Sequence, residues 1–415
     1  MQSDTTITAP DHQTLAEQPR TRSPRLALLC DFLEEGWPSM DLFGDMLARC
    51  YQADHAAEIS VEQLRPPLRA RFSRLPVRRG AASLWNADRL INRFFDYPRW
   101  LKKQAARFDL FHLIDHSYGQ LASELPAGST VVTCHDLDTF RCLLEPNLEP
   151  RPLWFHQMVR KTLNGFLACS HVLCPSATTR SQLLAHGLFP ENRVTVIPPG
   201  VDPVFFAEAR TALSKEPDSI ARLTGQTYLL HVGSTIRRKR IDVLLRVFAR
   251  VSREFPKAVL VRVGGALTAE QLQLAADLGV ADKIVYAPHL TKEQLAAVYR
   301  NAALLLQTSD AEGFGLPVIE AMACGCVVAA SDIAPLREAG GSAAEYCATA
   351  DVQAWSAVVA HLLGERDTAP DRWEARKRNA RSHASAFTWS ENANRTIAIY
   401  RSVLNRTGRC PSPKP

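Results

Sequence analysis

No run of apolar residues in this chain approaches the roughly 20 that a membrane-spanning helix needs, so nothing in it reads as a transmembrane segment. Residues 1–24 are polar and rich in Pro and Thr, and no secretory leader is expected there. Ten cysteines are present, but no Cys-x-x-Cys pair. Cys30, Cys134 and Cys174 fall in or beside apolar strand-like runs, where a thiol acts as a small buried hydrophobe. A reduced, cytoplasmic protein without a zinc site is therefore expected. No Gly-x-Gly-x-x-Gly follows the first strand-like run, which argues against a nicotinamide-dependent dehydrogenase.

What is there is ordinary globular material. The chain is 46% hydrophobic and 22% charged, which excludes wholesale disorder and collagen-like repeats. Its 415 residues suggest two or three domains at roughly 150 residues each. The net charge of +6 is unevenly placed. Between Leu64 and Arg107, twelve Arg or Lys stand against two Asp, so one segment carries the whole basic excess.

Short apolar runs alternate with helix-like stretches. Strands are expected at residues 25–30, 110–114, 131–134, 171–174 and 194–197, and again at 228–232, 258–263, 283–286, 303–307 and 327–330. Such βα alternation predicts buried parallel sheets. Pro198-Pro-Gly-Val-Asp-Pro203 interrupts the pattern. The expected class is α/β with two Rossmann-like domains. Residues 1–24 form an N-terminal arm, 25–205 the first domain, 206–226 a hinge and 227–387 the second domain. A C-terminal helix follows at 388–405, then a tail at 406–415.

One stretch is unusually informative: Ser309-Asp-Ala-Glu-Gly-Phe-Gly-Leu-Pro-Val-Ile-Glu-Ala-Met-Ala-Cys-Gly325. Pro317 suits the first turn of a helix and Gly325 the left-handed residue that ends it. A glycine-containing loop then feeds a helix N-terminus at the carboxyl end of a parallel strand, which favours an anion. Glu312 in the loop and Glu320 in the first helical turn would repel a bare phosphate. A nucleotide sugar resolves this, offering hydroxyls to the carboxylates and phosphates to the N–H groups. The plainer alternative is that Glu320 complements the helix dipole and Glu312 is a solvated loop acid. A second element, Arg237-Arg-Lys-Arg240, follows Gly233 and Ser234 at another strand end, where a diphosphate would sit.

The ordered set resembles the retaining glycosyltransferases of family 4, the group 1 glycosyl transferases of GT-B fold. The resemblance rests on Val196-Ile-Pro-Pro-Gly-Val-Asp-Pro-Val-Phe205, Gly233-Ser, Arg238-Lys239, the Glu312 to Glu320 motif and Thr133-Cys-His-Asp136. It implies two facing domains, with the C-terminal helix crossing back onto the first. Arg238 and Lys239 would then bind the donor diphosphate. Glu312 would meet the donor sugar, and main chain at Gly313, Phe314, Gly315 and Leu316 would steady sugar or phosphates. Glu320 would hold ribose hydroxyls, and His289 and Leu290 would lie at the nucleobase. His135 would face the sugar across the cleft, and Gly36 would lie beside donor or acceptor. Ser234 stands where some relatives carry Arg, and Glu35-Gly-Trp-Pro lacks the usual Gly-Gly pair. Asp136-Leu-Asp138 matches a metal-binding Asp-x-Asp pattern, but the match is short and belongs to another fold. No cofactor or metal is expected beyond the nucleotide-sugar co-substrate.

The implied reaction moves a hexose-type sugar to a glycan, polysaccharide or lipid-linked acceptor with retention of configuration. A sugar-nucleotide epimerase of the same fold and a non-catalytic nucleotide-sugar-binding module are the alternatives. His116 and Tyr118 either shape the acceptor site or are structural. In the basic segment 64–107, Trp85, Phe94, Phe95, Tyr97 and Trp100 interleave with the charges. That fits either an amphipathic helix pair packed on the first domain or peripheral attachment to an anionic membrane. Nucleic acid is not an expected partner, because no recognised binding motif accompanies the charge.

Overall fold

The structure is a computed structural model that describes residues 22–74, 81–207, 221, 223, 225–287 and 290–407. Most of the expected hinge at 206–226, the N-terminal arm up to residue 21 and the tail from 408 lie outside the described residues.

Among the described residues the strands form two six-stranded parallel sheets. The first has the order β2-β1-β3-β4-β5-β6. Its strands are β1 (Arg25–Leu29), β2 (Ser60–Leu64), β3 (Leu110–Leu113), β4 (Thr130–Thr133), β5 (His171–Cys174) and β6 (Val194–Val196). The second has the order β12-β11-β10-β7-β8-β9. It comprises β7 (Tyr228–Val232), β8 (Val259–Val263), β9 (Ile284–Ala287), β10 (Leu304–Gln307), β11 (Val328–Ser331) and β12 (Glu345–Cys347).

Each central strand is apolar on both faces because helices cover both sides of the sheet. In the first sheet Ala27, Leu29, Phe111, Leu113 and Val132 enter one core. Their neighbours Leu26, Leu28, Leu110 and Val131 enter the other. The second sheet divides likewise. Leu230, Val261 and Leu305 face one side, and Leu229, Leu260 and Leu304 the other. β2 and β12, the two strands the sequence does not mark, are short edge strands; β12 has only Cys347 buried. β2 is a half-exposed edge, Ser-Val-Glu-Gln-Leu, with no apolar run to mark it.

The terminal helix Trp389–Arg406 packs on the first sheet, as expected. Trp389 lies edge-on to Phe43 with ring centroids 5.0 Å apart. Tyr400 hydroxyl meets His112 Nδ1 at 2.6 Å and Tyr51 hydroxyl at 3.2 Å. The chain passes between the two halves twice, and the passages lie side by side. Val201 pairs with Thr388, and a Cβ on Gly200 would collide with the Trp389 backbone.

The basic segment is largely built into the first half. Asp88, fully buried, accepts the backbone N–H groups of Arg71, Phe72 and Ser73. Tyr97 is buried and donates to the carbonyls of Cys30 and Leu64. Arg65, Arg71 and Arg107 pair with Asp41, Asp96 and Glu62. Arg69, Arg74, Arg99, Lys102 and Lys103 stay exposed, and Arg78 and Arg79 lie outside the described residues.

Candidate active site

In the second sheet, β7 lies between β8 and β10, so successive connections leave it in opposite directions. Ligands bind outside the carboxyl ends of the strands at such a switch point. The loops after β7 and β10 flank this one and are tied together. Thr308 Oγ1 donates to the Lys239 carbonyl at 3.0 Å, and Asp310 N–H to the Arg238 carbonyl at 2.8 Å.

The run of four bases divides in two. Arg240 adopts a left-handed backbone at φ 47° and turns its guanidinium to Asp242 and Asp310 at 2.9 and 3.0 Å. Arg237 is exposed. Of the four, only Arg238 and Lys239 reach Glu312, which narrows the expected diphosphate cluster to two cations. Lys239 Nζ donates to Glu312 Oε1 at 2.6 Å, and Arg238 Nη1 lies 3.6 Å from Oε2.

Glu312 also accepts Gln307 Nε2 and Ser309 Oγ, each at 2.7 Å. Its side chain is only 7% exposed, so it is not a solvated loop acid. Burial alone would raise its carboxyl, but the Lys239 and Arg238 charges and these hydrogen bonds outweigh burial and hold it below the ordinary value. It is therefore an anion with two cations beside it.

Glu320 differs. It lies one turn deeper than expected, in the second turn of helix Leu316–Ala323. It accepts the Tyr299 hydroxyl at 3.1 Å. Burial pushes its carboxyl up to about 7, against which the Tyr299 hydrogen bond is a smaller effect. The two Glu side chains thus sit in different hydrogen-bond networks. Pro317 and Gly325 occupy the helix start and the left-handed exit, as expected.

The first half meets this motif directly. A Cβ on Gly313 would run into the His135 carbonyl. His135 Nε2 donates to the Ile114 carbonyl at 2.9 Å, and its ring lies edge-on to Phe43 at 5.2 Å. Burial holds His135 below the ordinary histidine value, leaving a neutral ring whose Nδ1 carries a lone pair. Arg238 bridges the halves, with Nη2 at 3.4 Å from Asp136 and Nε at 3.3 Å from Asp138. The Asp-x-Asp pair is thus engaged by a guanidinium. A second contact is made by Glu338, which accepts from the N–H groups of Ala177 and Thr178 and the Thr178 hydroxyl.

The remaining expected residues fall as follows. Gly233 follows β7 at φ 147°, and Ser234 is exposed beside it. Phe314 is buried against Phe387. Gly315 takes φ 124°, and a Cβ there would press on Leu336 at 2.8 Å. Leu316 opens the helix and Leu290 is half-buried against the core. His289 lies outside the described residues. Gly36 provides a left-handed turn at φ 68° in an exposed loop with open space around it. Tyr118 is buried under Arg93, a structural position. His116 is buried, with Nδ1 accepting weakly from the His135 N–H at 3.4 Å. Sequence reasoning missed Gln307 and Arg262. Both are polar residues inside apolar strands, and that interruption was the available signal.

Two family models match the chain. One, described as Glycosyltransferase Family 4, covers residues 45–205, and the other, Glycosyl transferases group 1, covers residues 214–382. A D-inositol 3-phosphate glycosyltransferase of Thermobispora bispora is 30% identical over 74% of this chain and 73% of its own length. Similar proteins of that description are spanned over only 48–58% of their length. The fold matches sucrose-phosphate synthase of Thermosynechococcus elongatus with a TM-score of 0.69 at 19% identity, over 93% of this chain and all of that one. It also matches HepE of Anabaena in complex with UDP and glucose, with a TM-score of 0.68 at 17% identity, over 92% of this chain and 100% of that chain.

Proposed function

The chain belongs to glycosyltransferase family 4, the group 1 glycosyl transferases, and from that premise we propose that it moves a hexose-type sugar from a nucleoside-diphosphate donor to an acceptor hydroxyl with retention of configuration. The observation that carries this reading is the buried Glu312–Lys239 pair with half-buried Arg238 beside it, on a loop whose Gly313 abuts the His135 main chain. Donor binding sets phosphates against Lys239 and Arg238 and sugar hydroxyls against Glu312. Negative charge grows on the departing diphosphate as the glycosidic bond breaks. Fixed cations aimed at that charge lower the barrier, each by about 2–4 kcal/mol. Main-chain donors at Phe314, Gly315 and Leu316 and the Glu320 carboxyl complete the donor contacts in this reading. No metal is assigned a role.

The acceptor belongs to the other switch point, between β1 and β3. Three carboxylates, Asp31, Glu35 and Asp115, gather there around Arg93. Asp31 is buried beside Asp115, and the Glu35 side chain is fully buried. Burial and the neighbouring Asp115 push the Asp31 carboxyl well up. Such an end favours hydroxyls over phosphate. A neutral glycan or the glycan part of a lipid-linked acceptor is therefore favoured over the phosphorylated inositol in the relatives' description.

The test is a panel of nucleotide sugars with product analysis. Transfer to an acceptor, lost in Glu312→Ala and Lys239→Ala, supports the reading. Release of an epimerised nucleotide sugar supports the epimerase instead. Binding without turnover supports the non-catalytic module.

Attachment to an anionic membrane is a second proposal. Phe95, Leu153 and Trp154 are 52%, 80% and 60% exposed. Lys161 lies over the Phe94 and Phe95 rings at 5.9 and 6.0 Å, and Trp154 is two turns before it on the helix Leu153–Leu167. No helix of the described residues is long and apolar enough to cross a membrane. Sedimentation with phosphatidylglycerol vesicles should bind the protein. Neutralising Arg78, Arg79, Lys102 and Lys103 should release it, and binding unaffected by lipid charge refutes the proposal.

A further inference from the structure

We infer that Arg262 is a positioning residue that orients the Gly233–Ser234 peptide for the donor diphosphate. The inference rests on the donor reading above. Arg262 lies on β8, directly opposite His231 of β7, and is 1% exposed. Its Nη2 donates to two carbonyls, Gly233 and Gly265, each at 3.2 Å. Its Nη1 meets His231 Nδ1. Among the described residues no carboxylate pairs with it, so a cation is buried under the β7 loop with only neutral acceptors around it. A buried charge without an opposite charge is destabilising, and the neutral acceptors offset only part of that cost.

The geometry gives it a use. In a trans peptide the C=O and N–H point in opposite directions. Holding the Gly233 carbonyl toward Arg262 therefore turns the Ser234 N–H away from the strand interior. Gly264 leaves room for the same carbonyl. It sits at φ 114°, and a Cβ there would stand 2.5 Å from the Gly233 oxygen. Lys239 Nζ lies beside the loop, 3.9 Å from where a Gly233 Cβ would be. Burial lowers the Arg262 guanidinium only to about 10, so it stays charged at neutral pH. Burial, with Arg262 and Lys239 adding to it, keeps His231 well below its ordinary value and neutral. His231 thus accepts from Arg262 at Nδ1 and fixes the fork.

The experiment compares wild type, Arg262→Met and Val261→Ala by calorimetric titration with UDP and GDP and by amide hydrogen exchange at Ser234. Val261 adjoins Arg262 on β8, but its side chain packs in the core on the opposite face of the sheet, so it controls for lost stability. Arg262→Met is expected to weaken nucleotide binding at least about tenfold, the lower end of one charge-assisted hydrogen bond. It should also speed Ser234 exchange without nucleotide, while Val261→Ala does neither at matched stability. Arg262→Gln, which keeps one donor, serves if the Met variant does not fold. Unchanged binding and exchange in the Arg262 variant, or equal losses in Val261→Ala, overturn the inference. If wild type binds neither nucleotide, the donor reading fails. The exchange comparison still decides whether Arg262 orients the loop.

Discussion

Replacing Lys239 with Met separates structure from chemistry at the centre of the site. The side chain is nearly isosteric, but the buried Glu312 carboxylate loses its 2.6 Å partner. It keeps Arg238 at 3.6 Å and the hydrogen bonds from Gln307 and Ser309. Breaking one side of a buried pair commonly costs about 3–5 kcal/mol, and the surviving contacts place this case near about 3. The Glu312 carboxyl should also rise, since the Lys239 charge is the largest of the effects that lower it. Turnover should fall roughly 30- to 1000-fold, the value of about 2–4 kcal/mol of lost charge stabilisation. The double variant Lys239→Met, Glu312→Gln removes the orphaned charge. It should regain most of the stability in urea unfolding while nucleoside diphosphate release stays low. Recovery of turnover together with stability would show that the pair is only structural and would refute the reasoning.

Gly313→Ala places a methyl against the His135 carbonyl, so the two halves must separate. A larger radius of gyration by solution scattering and a loss of about a hundredfold in turnover are expected, and an unchanged radius contradicts this. Glu338→Ala removes the acceptor from two backbone N–H groups at the start of helix Ala177–Ala185. A cost of about 1 kcal/mol in urea unfolding is expected, and no change would show the contact to be idle. Glu320 holds its proton up to about pH 7 when folded, against 4.5 for an ordinary glutamate. The folded state binds more protons between those values, so this contribution is full below pH 4.5 and lost as pH rises through 7. Glu320→Gln should therefore lessen the fall in stability from pH 5 to pH 8. An identical fall in both proteins contradicts the assignment. In an acceptor screen, a neutral glycan should outperform inositol phosphate, and the reverse order would remove the role given to Asp31, Glu35 and Asp115.

The two sheets were legible because buried parallel strands are continuous apolar runs, as at Leu229 and Leu230 or Val131 and Val132. The edge strands β2 and β12 were not, because only Leu64 of the one and Cys347 of the other are buried. The helix Trp389–Arg406 could be placed on the first half only through resemblance, since its amphipathic face does not name its partner. Glu312, Lys239, Arg238 and His135 were legible as motif residues, each just past a strand end. Their pairing was not, because hydrogen-bond partners such as Gln307 lie within strands that otherwise read as core. The run 237–240 misled in one respect. Four bases in a row looked like one cluster, whereas the left-handed turn at Arg240 sends its side chain to Asp242 and Asp310.

The central claim is transfer from a nucleotide sugar through the Glu312–Lys239–Arg238 cluster. The most direct measurement follows the first-formed product by proton NMR during turnover of a nucleotide-sugar panel with wild type and Glu312→Ala. The account predicts release of the nucleoside diphosphate and a new glycosidic bond of the donor's anomeric configuration, both lost in the variant. An inverted anomer, or equal turnover by the variant, would contradict it.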